Sequence, residues 1–225
     1  MIEPLVITID GPAGAGKSTV AQMLAARLGL TYVDSGATYR ATALKVLESG
    51  IDPLDADSVA QMIAATEVSL SAGDGVPHVL VDGHDVTARL RTPEVTLAAA
   101  QVSRLPEVRA KLIQIQRSFA RGKGVVMEGR DIGTVVFPQA KLKIFLKADM
   151  EERARRRLRQ DSHDSRETTI EKTACEIGRR DQLDSERKIS PLQPAADAVE
   201  IDSTFLAAEQ VVERILALAQ SRQLT

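Results

Sequence analysis

Short, β-branched apolar runs recur along this chain. Between them lie longer stretches in which apolar residues return every three or four positions. The runs at residues 5–10, 31–34, 125–128, 142–146 and 198–201 read as strands. Val125-Val126-Met127 and Ile144-Phe145-Leu146 are apolar at every position, as strands buried on both faces of a parallel sheet are. Helices are predicted to start at Lys17, Ala37, Arg104, Met150 and Thr204. The last takes Ser203 or Thr204 as its N-cap and places Val212, Ile215, Leu216 and Ala219 on one face. Strands alternating with helices predict an α/β fold, a five-stranded parallel sheet flanked by helices.

Two regions break that rhythm. Glu67-Val68-Ser69-Leu70-Ser71 and His78-Val79-Leu80-Val81-Asp82 each alternate polar with apolar, and Ala72-Gly73-Asp74-Gly75 between them has the chemistry of a turn. A small antiparallel insertion is therefore expected at 66–92, set into a core formed by 1–65 and 93–225. Residues 161–194 are polar, charged and irregular, a composition that suits a flap over an active site and equally a plain surface excursion.

Composition narrows the class. The 225 residues are 44% hydrophobic and 27% charged, as in a soluble globular enzyme. A net charge of −2, with arginines crowded between 153 and 187, does not suit a uniformly basic nucleic-acid binder. Cys175 stands alone, which rules out an intramolecular disulfide and points to a reducing compartment; it is read as a packed small residue. No basic stretch followed by a long apolar run opens the chain, and no run is long enough for a bilayer, so the cytoplasm is expected and a membrane is not. His78, His84 and His163 lack the spacing of metal ligands.

The chemistry starts at Gly11-Pro12-Ala13-Gly14-Ala15-Gly16-Lys17-Ser18, which matches G-x-x-x-x-G-K-[S/T] between a predicted strand and a predicted helix. In such a P-loop the glycines let backbone N–H groups turn toward phosphate, and the helix dipole faces the same anion. Lys17 is expected to reach the β- and γ-phosphates of ATP and Ser18 to ligate Mg²⁺, with Thr19 completing the ATP-binding set. Glu128, ending a strand, is placed to hold that metal through water. The chain contains no asparagine, so the Asn-Lys-x-Asp guanine signature of switch GTPases is absent.

Four more segments are rich in phosphate-, sugar- and base-binding side chains. They are Asp34-Ser35-Gly36-Ala37-Thr38-Tyr39-Arg40, Pro106-Glu107-Val108-Arg109, Glu128-Gly129-Arg130-Asp131-Ile132-Gly133-Thr134 and Arg180-Asp181-x-x-Asp184-x-x-Arg187. The first and third follow predicted parallel strands, where open α/β sheets bind ligands. Singly, Arg40 would serve as well as a solvated helix residue, and Arg130–Asp131 as a surface ion pair.

Ile9-Asp10-Gly11-Pro12, Asp34-Ser35-Gly36-x-x-Tyr39-Arg40, Arg91-Thr92-Pro93-Glu94-Val95, Gly129-Arg130-Asp131-Ile132-Gly133-Thr134-Val135-Val136-Phe137-Pro138 and Pro194-Ala195-Ala196-Asp197-Ala198 closely resemble the bacterial cytidylate kinases, in a match over nearly the whole chain. The resemblance implies a P-loop kinase that phosphorylates CMP and dCMP with ATP and Mg²⁺, as a cytoplasmic monomer. It also implies that 66–92 belongs to the monophosphate-binding part and that about 155–190 forms a helical lid. Arg40, Arg130 and Arg187 would hold the acceptor phosphate and the transferring group, with Lys17, Arg130 and Arg187 catalytic. Ser35 and Tyr39 would lie at the acceptor, Arg180 and Asp184 at the ribose hydroxyls, and Arg109 and Asp131 at the base. Arg153, Arg156 and Arg157, which share a helix face, would start the lid, with Arg156 taken as an ATP ligand, or equally form a solvated basic face paired with Glu151 and Glu152. The family often has serine at the position of Ala100, where it helps bind the base, so this chain departs there. A kinase for UMP or another small acceptor, and a nucleotide-sensing P-loop module, are the competing readings.

Overall fold

The computed structural model describes residues 4–71, 77–121, 124–161, 169–187 and 189–224. Its central sheet comprises β1 (Val6–Asp10), β2 (Thr31–Asp34), β6 (Val125–Gly129), β7 (Leu142–Lys147) and β8 (Val199–Asp202). The strands are all parallel, in the order β2-β6-β1-β7-β8. The register pairs Val6 with Val125, Ile7 with Leu142 and Ile144 with Val199. Side chains alternate between the two faces. On one face Ile7, Ile9, Val126, Leu142, Ile144 and Leu146 pack against α1 (Lys17–Leu28) and α8 (Ala208–Ser221). On the other, Val33, Val125 and Met127 meet Ile132 and Val136 of a short π-helical turn, Ile132–Val136.

Between β2 and β6 the chain makes α2 (Ser35–Glu48), α3 (Ala56–Ala65), β3 (Val68–Ser71), β4 (His78–Val81), β5 (His84–Asp85), α4 (Pro93–Val102) and α5 (Pro106–Ser118). The alternating segments form the expected antiparallel sheet, which β5 extends to three strands, β3-β4-β5. The proposed turn at 72–75 lies outside the described residues. Val68, Val79 and Val81 join α2, α3, α4 and α5 in one apolar cluster that also holds Val59, Ile63, Val95 and Leu112.

Several expected helix starts move. α2 begins at Ser35, two residues before Ala37, because Asp34 caps it by accepting the Ala37 N–H at 3.2 Å. The helix expected at Arg104 begins at Pro106, and it is preceded by α4, capped by Thr92 with Pro93 in its first turn. α8 begins at Ala208, because Ser203 and Thr204 are occupied elsewhere. The Ser203 hydroxyl lies 3.1 Å from the Ala15 carbonyl oxygen, and that of Thr204 donates to Asp202 at 2.6 Å.

α6 (Met150–Asp161) and α7 (Ile170–Ser185) follow β7. Within the stretch expected to be irregular, Ile170–Ser185 is thus helical, and Thr169 caps α7 by accepting the Lys172 N–H. Cys175 is exposed on α7 and is not a packed residue. Arg187 lies two residues beyond the end of α7, so it does not share a helical face with Arg180 and Asp184. His163 falls outside the described residues. Among the described residues no helix is long and apolar enough to cross a membrane.

Candidate active site

The phosphate loop runs from the end of β1 to the start of α1, and its shape depends on two glycines. Gly11 has φ 148°, and a Cβ there would lie 2.0 Å from the Leu146 carbonyl oxygen of the adjacent strand. Gly16 has φ 90° and makes the sharp entry into α1. Lys17 is buried, and its ammonium donates to the Pro12 carbonyl at 2.8 Å. Burial and the neighbouring Arg130 guanidinium push the Lys17 pKa down to about 7.

Near Lys17 lie the buried acids Asp10 and Glu128, at the ends of β1 and β6, and the half-buried Asp34 at the end of β2. Asp10 accepts the N–H groups of Ile132 and Gly133 at 2.9 and 2.7 Å, and burial raises its pKa to about 6 despite those bonds. Glu128 accepts from the Tyr32 hydroxyl at 3.0 Å, with the Ser18 side chain nearby. Burial and the nearby Asp34 carboxylate hold the Glu128 pKa above the ordinary range. Neither Asp10 nor Tyr32 received a role from the sequence. The polar residue interrupting an apolar strand in Ile7-Thr8-Ile9-Asp10 was the signal for the first; nothing local signals the second.

The lowered Lys17 pKa has a thermodynamic consequence. At pH 8 a group titrating near 7 is mostly neutral, and an arriving polyphosphate raises its pKa again. Binding of metal-free ADP at pH 8 is therefore expected to take up a proton. The measurement is calorimetry in buffers of different ionisation enthalpy. Uptake should vanish in Lys17→Met; uptake persisting there would assign the proton to another group.

Distant arginine segments converge beside the loop. The Arg130 guanidinium donates to the Gly11 carbonyl at 2.9 Å and to Asp184 at 2.8 Å. Asp184 uses its other oxygen for Arg187, so one buried carboxylate orients two guanidinium groups. Burial alone would raise the Asp184 pKa, but Arg130 and Arg187 together hold it below the usual carboxylate range. Arg180 is close enough for burial and Arg130 to push it down to about 10. Arg130 and Asp131 do not pair with each other. Asp131 pairs instead with Arg109, whose guanidinium also donates to the Ser103 carbonyl at 3.3 Å and lies 5.7 Å from the Tyr39 ring centre.

Arg40 forms a 2.6 Å ion pair with Asp34. Ser35 donates its hydroxyl to the Glu128 carbonyl at 2.7 Å, which ties the start of α2 to β6. The Nε atoms of Arg40, Arg109, Arg153 and Arg187 are buried and lack a protein partner. Ser103, the neighbour of the Ala100 position, donates its hydroxyl to the Ala100 carbonyl at 3.0 Å. Arg156 turns to the outside of the phosphate loop: it donates to the Ser203 carbonyl at 2.6 Å, lies 3.4 Å from the Ala15 carbonyl, and pairs with Glu152.

The family model for cytidylate kinase matches residues 7–221. The chain belongs to the cytidylate kinase family. It is 46% identical over 212 residues to the cytidylate kinase of Caldicellulosiruptor bescii, covering 94% of each chain. To that of Geobacillus kaustophilus it is 48% identical over 216 residues, covering 96% of each. A crystal structure of an uncharacterised protein from Eubacterium ventriosum shares the fold, with a TM-score of 0.52 and 10% identity, covering 96% of this chain and 99% of that one. Family membership and the parallel sheet with its phosphate loop make this a P-loop kinase fold with an antiparallel three-stranded element and a helical segment above the loop.

Proposed function

We propose that this chain transfers the γ-phosphoryl group of ATP to CMP and dCMP, acting as a cytoplasmic monomer. The observation that carries the reading is the Arg130–Asp184–Arg187 cluster, anchored to the phosphate loop through the Gly11 carbonyl. The acceptor oxygen already belongs to an anionic phosphate, so the site needs no strong base. Catalysis then consists of positioning and of neutralising charge that spreads over the transferring group. Lys17 serves the β- and γ-phosphates from the donor side, and Arg130 and Arg187 bridge toward the acceptor. Arg40 and Ser35, in the first two turns of α2, receive the acceptor phosphate. Arg180 and Asp184 sit at the ribose, while Arg109 and Asp131 beside Tyr39 read the base.

The residues present fit a magnesium ion held largely by phosphate oxygens. Ser18 and Glu128 lie near each other, two oxygen ligands at the foot of the loop. Among the described residues no group of three or more His, Cys, Asp or Glu side chains forms a cage for a metal. When bound, the ion, with Ser18 and Glu128 as the residues that would hold it, would neutralise part of the triphosphate's charge.

An ADP-release assay with ATP, magnesium and a panel of CMP, dCMP, UMP, GMP, AMP and shikimate tests the reading. CMP and dCMP should be preferred; preference for any other member would overturn it. Asp184→Asn gives a finer test, because both carboxylate oxygens are already engaged by arginines. Hydrogen bonds to charged groups contribute about 1.5–3 kcal/mol, so turnover should fall by roughly tenfold or more. CMP and dCMP should suffer alike if the arginines carry the effect. A loss confined to CMP would place Asp184 on the 2′-hydroxyl instead.

A further inference from the structure

We propose that Arg153 and Asp181 form a positioning clamp on Ala13, holding the phosphate loop in the conformation that receives the nucleotide. Its kinetic arm rests on the kinase reading above; its spectroscopic arm does not.

Ala13 is held at both of its backbone polar groups by side chains from outside the loop. Its N–H donates to Asp181 Oδ1 at 2.9 Å. Its carbonyl accepts from Arg153 Nη1 at 3.2 Å. Arg153 Nη1 also pairs with Asp181 Oδ2, which closes the arrangement into a ring. The N–H and carbonyl of one residue belong to the two peptide planes that flank it. Pinning both fixes φ and ψ at Ala13.

The clamp draws on two helices that pack together, Arg153 from the first turn of α6 and Asp181 from the last turns of α7. α6 also touches the loop directly. A Cβ at Gly14 would lie 2.8 Å from the Arg153 carbonyl oxygen, so helix backbone and loop are already in contact at the next residue. Arg153 is buried, and its remaining terminal nitrogen lies 3.6 Å from the Met150 sulfur.

The placement suits a loop that must present N–H groups to an anion. Each carbonyl of the stretch from Gly11 to Ala13 is taken by a cation: Gly11 by Arg130, Pro12 by Lys17 and Ala13 by Arg153. Carbonyls held by cations are kept from turning toward phosphate, where they would repel it. Asp181 is the acid among these cations, close enough to Lys17 and Arg130 to influence both. Its neighbours Arg180 and Asp184 on the same helix face the acceptor side, so α7 touches both halves of the site.

Amide exchange at Ala13, followed by nuclear magnetic resonance in the substrate-free protein, reads the clamp directly. Asp181→Asn keeps an oxygen for the Ala13 N–H and should retain protection. Asp181→Ala should raise the exchange rate about tenfold or more. Kinetically, Asp181→Ala and Arg153→Gln should each lower kcat by roughly tenfold, with the KM for the acceptor within about twofold. The double variant should be no worse than the more damaged single one, because the two residues act as a unit. Unchanged Ala13 protection in Asp181→Ala would overturn the clamp, as would additive kinetic losses. A wild-type protein inactive on every acceptor would refute the functional reading and leave the amide measurement to decide the clamp.

Discussion

Lys17→Met is expected to lower the turnover of phosphoryl transfer by about 100- to 1,000-fold without unfolding the protein. The magnitude follows from removing a charge aimed at the transition state inside a buried site. The fold should survive because the ammonium is an electrostatic burden in the empty molecule. It is buried beside Arg130, its pKa is pushed down to about 7, and its one hydrogen bond goes to the Pro12 carbonyl. Methionine keeps most of the volume and loses the charge. The pH dependence gives an independent check. Between about pH 7 and the ordinary lysine value the unfolded chain binds more protons at this residue than the folded one, so its contribution to stability rises with pH. Denaturant titrations from pH 7 to 10 should therefore show a steeper gain for the wild type than for Lys17→Met. Comparable turnover in a folded Lys17→Met protein would refute the role of the loop.

Asp131→Asn should cut the preference for CMP over UMP by about 10- to 100-fold. Cytosine presents an amino donor beside two acceptors, which a carboxylate and a guanidinium match. Uracil presents a carbonyl and an N–H there and leaves both charged groups mispaired. A well-placed pair of this kind contributes about 1–3 kcal/mol to discrimination. In the substrate-free molecule Arg109 and Asp131 satisfy each other, both buried, so the base must join an existing ion pair. That makes Asp131→Ala a poor probe, because an unpaired buried guanidinium costs about 3–5 kcal/mol of stability. Asparagine keeps an acceptor oxygen for Arg109 but brings an amide donor of its own, which should relax the selection. Initial-rate kinetics with both acceptors measure the ratio. A ratio unchanged from wild type would show that the base is read elsewhere and would remove the support for cytosine selection.

What the sequence determined by itself was whatever local chemistry encodes. The strands follow from β-branched apolar runs, because a buried parallel strand has no polar face to show. The loop at Gly11–Ser18 follows from glycines that permit backbone conformations other residues resist, placed between a strand and a helix. The four segments carrying Arg40, Arg109, Arg130 and Arg180–Arg187 were visible as candidates for the same reason. The helix boundaries were less legible. Ser203 and Thr204 look like a cap, yet the sheet and the phosphate loop compete for their hydroxyls. In 161–194 a polar composition hid a helix whose contacts are mostly with α6.

Only the tertiary structure decided which charges meet. Arg130 adjoins Asp131 in sequence but pairs with Asp184, 54 positions away, while Asp131 pairs with Arg109. Asp181 reaches Ala13 across 168 positions. Arg130 and Asp131 lie just past the end of β6, in no regular element whose spacing would pair them. Partner choice then depends on how the helices after β7 return over the loop, and on the need to pair every charge that this packing buries.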